Sequence, residues 1–385
     1  MTAAPRPKLI YLVTEDWYFW SHRLPMARAA LAAGFDVAVA TRVTAHGERI
    51  RAAGFTLHPL RWRRRSFAPW ALVAAIMEIS SLYRRERPRL VHHVALKPAV
   101  LGGIAAQAAR VPAVVSAVAG FGFLASSTRL QARLLRPLMV LALKRLLTRR
   151  NAWIIVQNDG DRQALLALDA QAAERIVTIR GSGVDVAHFS AVPEPPAPPI
   201  TAGFAGRMLV GKGVAVLVEA QQRLQRRGID LRLALAGMPD AENPDAIAAA
   251  TLASWEKLPG ITWLRQQSDV REVWRAAHIA VQPSLGGEGL PMSLLEAAAM
   301  ARAIVATDVP GCREIARADV NALLVPPGDA DALAAALERV ASDTALRHRF
   351  AAASRRLVES DLAQESVGAA AVTLYRNVIA ATEVP

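Results

Sequence analysis

The sequence predicts an α/β protein of two doubly wound domains, and three observations carry that prediction. Short apolar runs rich in β-branched residues alternate with longer helical patterns; a proline cluster interrupts the alternation once; the alternation then starts again. Repeated strand–helix alternation implies parallel sheets with helices on both faces.

In chain order, KLIYLVT (8–14), DVAVAT (36–41), RLVHHVA (89–95), AVVSAVA (113–119) and AWIIVQN (152–158) read as strands. Helical patterns fall between them, among them SHRLPMARAALAAG (21–34), which closes on Gly34 as helices often do. AVPEPPAPPIT (191–201) holds five prolines in eleven residues and suits neither a helix nor a central strand. It is the expected linker. The second series runs TAGFAG (201–206), LRLALAG (231–237), ITWL (261–264), IAVQPS (279–284), AIVAT (303–307) and ALLVP (322–326). The expectation is a Rossmann-like domain over 1–192, a second over 200–361, and a closing helix within 362–385 packed back across them. Ligands of open α/β sheets sit outside the carboxyl ends of the strands. Two such domains facing a cleft would carry their sites in the loops that follow strands.

Composition narrows the classes. A chain of 385 residues, 53% apolar, supports two ordinary cores. The single cysteine, Cys312, excludes an internal disulfide framework and a Cys/His zinc site, and points to a reducing compartment. The first residues lack the charged start, long apolar stretch and cleavage site of a leader and read as a first strand. No uninterrupted apolar run reaches about 18 residues, so no spanning helix is expected. Residues 1–190 carry 27 Lys/Arg against 11 Asp/Glu, a net +16, whereas the remainder carries 19 against 22, a net −3. A basic half seeks phosphates, on nucleic acid, anionic lipid or a phosphorylated substrate.

The second half carries the sharper chemistry. In GFAGRMLVGKG (203–213), Arg207 follows Gly206 at a strand end, and Lys212 stands between Gly211 and Gly213. Glycines let the backbone approach a ligand, and two cations suit a diphosphate; the other reading is a solvated basic turn. The run is not the G-x-x-x-x-G-K-[ST] phosphate loop. In PSLGGEGLPMSLLEAAAMA (283–301), a glycine-rich loop leads through Gly289 and Leu290 to Pro291, which opens a helix. Such an entry offers unpaired N–H groups and the helix dipole to an anion. Glu288 in the loop and Glu296 in the helix are acceptors for vicinal hydroxyls of ribose or a sugar. Glu296 lies in an almost wholly apolar stretch and, once buried, needs a partner. In TDVPGCREI (307–315), Pro310 and Gly311 shape a turn and Glu314 reads as structural. Asp269 reads as the N-cap of an amphipathic helix.

Together these residues resemble the retaining glycosyltransferases of family 4, which have the GT-B fold. The resemblance is carried by G-R-x-x-x-x-K-G (206–213), by Glu288 and Glu296 separated by seven residues, and by VATDVPGCREI followed by LLVPPGD. It implies a UDP-sugar donor bound by the second domain, with no tightly bound cofactor and no required metal. Arg207 and Lys212 would hold the diphosphate, Glu296 the ribose, and Glu288 with the backbone of Gly289, Leu290 and Pro291 the donor sugar. Two positions depart from the family pattern. Ala322 follows Asn321 where a glycine is frequent, and MARAI (300–304) replaces small-Gly-x-Pro. Neither change removes a charged ligand.

The first half points to the acceptor. TEDWYFWSHR (14–23) places aromatics in a loop after the first strand, and VHHVALKPAVLGG (91–103) places His92, His93 and Lys97 at another strand end. Side chains alternate along a strand, so one histidine should face the core. In the related enzymes a histidine here lies near the reacting sugar, and His93 is assigned to it. GFGFL (120–124) and H-H-x-x-L-K-P (92–98) are similar to enzymes that glycosylate polyprenyl-diphosphate-linked sugars. LRWRRRSFAPW (60–70) and RLQARLLRPLMVLALKRLLTRR (129–150) suit an anionic membrane surface, or a buried helix with snorkelling ends. The expectation is a cytoplasmic enzyme, peripheral on the inner face of the cell membrane, that moves sugar from a UDP-sugar to a lipid-linked saccharide, with no nucleic-acid partner. The alternatives are a nucleotide-sugar 2-epimerase of the same fold, a non-catalytic sugar-binding subunit and a basic nucleic-acid-binding protein. The last leaves the two glutamates unexplained.

Overall fold

The computed structural model describes residues 6–64, 66, 68–118, 140–141, 144–145 and 148–383. The chain divides into two compact units, Met1–Ser182 with Gln364–Pro385, and Gly183–Ala363.

The first unit contains strands β1 (Lys8–Glu15), β2 (Asp36–Arg42), β3 (Thr56–Pro59), β4 (Leu90–Val94), β5 (Ala113–Ala117), β6 (Ala152–Val156) and β7 (Ile176–Thr178). They form a parallel sheet in the order β3-β2-β1-β4-β5-β6-β7. The second contains β8 (Ile200–Ala205), β9 (Leu231–Ala236), β10 (Ile261–Arg265), β11 (Ile279–Gln282), β12 (Ala303–Thr307) and β13 (Ala322–Val325). Its parallel sheet has the order β10-β9-β8-β11-β12-β13. Counted within its own unit, the second sheet reads 3-2-1-4-5-6, the Rossmann winding, and the first reads the same with a seventh strand added at the β6 edge. A crevice therefore opens beyond the carboxyl ends where the winding reverses, at β1/β4 and at β8/β11.

Central strands such as β4 and β5 are buried at every residue, as a sheet covered on both faces requires. The edge strands β3 and β7 are four and three residues long and carry no such apolar signature, so the sequence reading passes over them. The helix expected over 21–34 is instead two, Asp16–His22 and Leu24–Ala32, hinged at Arg23 with φ −127° and ψ −10°. The aromatic cluster is thus helical rather than a loop. The Asp16 carboxylate fixes its start by accepting the amides of Thr44 (2.7 Å), Ala45 (3.0 Å) and His46 (2.8 Å).

The division between units falls at Ser182, ahead of the proline-rich segment and of the boundary expected at 192. Arginines of the second unit hold that segment. Arg302 donates to the carbonyls of Val192 (3.2 Å) and Pro193 (3.0 Å), Arg347 pairs with Glu194 (3.0 Å), and Arg355 reaches the carbonyls of Val186 and Phe189. The tail helix, Gln364–Ala381, belongs to the first unit. Its Tyr375 hydroxyl meets Tyr11 (2.8 Å) and His92 Nδ1 (2.7 Å) in the core. The GFGFL segment and most of 129–150 lie outside the described residues.

Candidate active site

Neighbouring strands β8 and β11 bring together the two loops that the sequence singles out. After β8, residues Val210–Lys212 make a 3₁₀ turn and Gly213, at φ +70°, enters the helix Val214–Arg226. After β11, the chain runs to Pro291, which caps the helix Met292–Ala299. The Leu285 amide donates to the Gly211 carbonyl at 2.9 Å and ties one loop to the other. A Cβ on Gly213 would stand 1.9 Å from the Pro283 carbonyl oxygen, and one on Gly311 would stand 1.8 Å from that of Gly289. Backbone here lies on backbone, and only glycine permits it.

The side chains converge across that contact. Lys212 Nζ donates to Glu288 Oε1 at 2.7 Å, and Ser284 Oγ donates to the same oxygen at 2.5 Å. Gln282 Nε2 donates to Ser284 Oγ (2.7 Å), while its carbonyl accepts from Ser293 Oγ (2.9 Å). The Thr307 hydroxyl donates to the Ser284 carbonyl at 2.6 Å. Gln282, Ser284 and Thr307 are buried, so this network fixes Glu288 from beneath. Glu288 Oε2 takes no hydrogen bond among the described residues and remains an open acceptor. Arg207 leaves β8 in another direction, to Asp240 Oδ2 (2.8 Å) in the loop after β9. Each cation therefore already has a carboxylate, and a diphosphate would have to compete for it.

Glu296 is part-buried among Leu294, Leu295, Ala297 and Ala298, with no ion pair among the described residues. Burial pushes its carboxyl up to about 8, and the Trp274 indole opposes the shift. A carboxyl so displaced beside a loop crevice is a candidate for a functional role. The amides of Met292 and Ser293, in the first helical turn, make no hydrogen bond inside the described residues. Leu290 and Pro291 are buried and set where that turn begins, and Gly289 supplies the carbonyl packed against Gly311. Asp269 accepts the Arg271 amide (3.0 Å) and is gripped by the Arg271 guanidinium, a local role.

The first unit corrects one expectation. His92 and His93 are both fully buried, because β4 is covered on both faces. His93 Nε2 lies 3.1 Å from the Tyr83 hydroxyl and its Nδ1 lies 3.4 Å from Ser116 Oγ. Burial, reinforced by the Arg149 charge, pushes its imidazole down to about 3. His93 is thus a neutral core histidine with no open face for a sugar. Lys97, just after β4, donates to the carbonyls of Arg63 (2.7 Å) and Ser66 (2.9 Å) and pins the basic loop. Asp240, Gln282, Ser284, Ser293 and Thr307 belong to no motif in the sequence. The one available signal was the polar Q-P-S at the end of the apolar run IAVQPS.

Among the described residues, no cluster of three or more His, Cys, Asp or Glu is placed to hold a metal ion. No helix among them is long and apolar enough to cross a membrane.

Two Rossmann-wound units, the second with cations, an open carboxylate and a helix start at its switch point, make up the two-domain architecture of the GT-B fold. Residues 199–343 match the family model of glycosyl transferases group 1, and residues 8–158 match that of glycosyl transferase 4-like proteins. Both units thus match glycosyl transferase family models, consistent with a family 4 glycosyltransferase. It is 29% identical over 200 residues to the putative colanic acid biosynthesis glycosyltransferase WcaL of Escherichia coli, across 50% of this chain and 48% of that one. It is 34% identical over 187 residues to the phosphatidyl-myo-inositol mannosyltransferase of Mycolicibacterium smegmatis, across 47% of each. The matches thus span about half the length of these curated relatives. Sucrose-phosphate synthase from Thermosynechococcus elongatus has the same fold, with a TM-score of 0.81, 20% identity and coverage of 98% of this chain and 100% of that one. So does Anabaena HepE in complex with UDP and glucose, with a TM-score of 0.77, 15% identity and coverage of 97% and 100%.

Proposed function

We propose that the chain is a retaining glycosyltransferase that moves a hexose or N-acetylhexosamine from a UDP-sugar to a lipid-linked, polyprenyl-diphosphate saccharide. The setting is cell-surface polysaccharide or glycan assembly, at the inner face of the cell membrane. The observation that carries the donor side is the junction of Lys212, Glu288 and the helix start at Met292, gathered by β8 and β11. In this reading Lys212 and Arg207 take the diphosphate, exchanging Glu288 and Asp240 for phosphate oxygens. The amides near Pro291 add dipole and N–H groups. Glu296 accepts from the ribose, and Glu288, through its open Oε2, from the donor sugar. The UDP and glucose held by HepE, and the saccharide pathway named for WcaL, support this reading.

The acceptor hydroxyl attacks the anomeric carbon from the side of the departing group. The bond from that carbon to the diphosphate breaks, and the hydroxyl proton passes to the leaving phosphate oxygen. The protein positions the reactants and stabilises charge on the diphosphate. Arg207→Ala is expected to lower kcat/KM about a hundredfold with unchanged circular dichroism. UDP release from a panel of UDP-sugars, with and without polyprenyl-diphosphate saccharide, is the measurement. Near-normal turnover in the variant refutes the donor assignment, and UDP release independent of acceptor favours an epimerase.

A further inference from the structure

The helix Pro69–Glu86 turns outward a face left uncovered among the described residues of the first unit. Trp70, Val73 and Met77 are 77%, 53% and 61% exposed. Spaced three and seven residues apart, they share one side, and Arg84 continues it a further seven residues on. The opposite side buries Ala75, Ile79, Leu82 and Tyr83. On one flank, a groove of about 480 Å³ runs between this helix and the helix Leu96–Ala108, with Leu72, Ile76, Ile104, Arg145 and Arg149 in its lining. On the other flank, a cavity of about 720 Å³ is lined by Arg61, Trp62, Arg63, Glu78 and Lys97. Trp62 is buried there and its indole N–H has no acceptor, whereas the Glu78 carboxylate is taken by the Arg61 amide.

Charge selects the occupant. Residues 51–150 hold 18 Lys/Arg and only two carboxylates, Glu78 and Glu86. A second copy of the chain would set two such faces against each other, which like charge opposes. The core of a protein interface is depleted in charged residues, and this apolar stripe is bordered by arginines. An anionic bilayer satisfies both chemistries: tryptophan lies at headgroup depth, aliphatic side chains enter the acyl boundary, and arginines meet lipid phosphates.

Resting on the reading of a membrane-held acceptor, we propose that the outer face of helix 69–86 seats the chain on an anionic bilayer, with Trp70, Val73 and Met77 entering the interface and Arg61, Arg63 and Arg84 on lipid phosphates. The test is flotation of the full chain with vesicles of phosphatidylcholine alone or mixed with phosphatidylglycerol, alongside a Trp70→Ser/Met77→Ser variant. The wild type should float with the anionic vesicles only. The variant should partition at least about tenfold less while its circular dichroism, thermal midpoint and vesicle-free UDP binding stay unchanged. Equal flotation of variant and wild type, no flotation of either, or equal binding to neutral vesicles overturns the proposal. So does a concentration-dependent dimer in sedimentation that the variant loses, because the face then belongs to a second copy. Failure of the wild type to bind UDP would strike the donor assignment and leave the flotation result standing.

Discussion

Asp240 decides how freely Arg207 meets a ligand, and its effect is small enough to calculate. Arg207 is 42% exposed on its side chain, and exposed ion pairs contribute about 0–1 kcal/mol. Asp240→Asn is therefore expected to tighten binding of UDP or inorganic pyrophosphate about two- to fivefold, read by calorimetry. Weaker binding would mean that Asp240 orients the guanidinium rather than competing for it. Glu296 makes the second residue-scale prediction. Its folded carboxyl, at about 8, lies above the ordinary 4.5. The fold thus favours the protonated form, whose stabilising effect is complete below about pH 4.5 and is lost as pH rises through about 8. Glu296→Gln cannot titrate. The thermal midpoint of the variant should gain on that of the wild type between pH 5 and pH 9 (roughly the window between and just above those two values), and a pH-independent difference would remove the argument.

Elements show what the sequence could and could not disclose. Long parallel strands announce themselves because both faces are covered, so β1, β4 and β12 read as apolar runs. The edge strands β3 and β7 do not, because they are only four and three residues long and partly exposed. The loops at 206–213 and 283–291 were legible because glycine and charge coincide there. Ser284 and Gln282 were not, because their role exists only once Thr307 and Ser293 have folded around them. Asp240 meets Arg207 across 33 positions of sequence, beyond any local pattern. Alternation along β4 does not expose His93, because both faces of that strand are covered. A departure from the family pattern also becomes physical at this scale. Ala301, where glycine is frequent, sits at φ +56°, a conformation that costs an L-residue about 1–2 kcal/mol. Ala301→Gly should stabilise the second unit by about 0.5–1 kcal/mol, after the entropy that glycine adds to the unfolded chain, a rise of about 1–4 °C in its melting temperature. An unchanged or lower midpoint would show that the strain is relieved elsewhere.

At the scale of the molecule, the tail is part of the first unit rather than an appendage. Val367, Ala371, Leu374, Tyr375 and Val378 lie in its core beside Tyr11 and Phe35. Burying each large apolar side chain is worth about 1.5–3 kcal/mol, and together they rival the 5–15 kcal/mol that a whole domain retains. A chain ending at residue 363 is expected to lose the native circular dichroism of the first unit and to elute as aggregate. Monomeric elution with an intact spectrum would show that the amino-terminal sheet folds unaided.

The glycines at 213 and 311 divide the second unit into what can be altered and what cannot. Each marks a place where main chain crosses main chain with no room for a methyl group, so the geometry of the crossing is indifferent to side-chain chemistry. Lys212 and Glu288 sit directly beside those crossings, so the crossings fix where their side chains start. A change of side chain around the site leaves these two crossings intact, whereas any side chain placed at 213 or 311 would force the two loops apart.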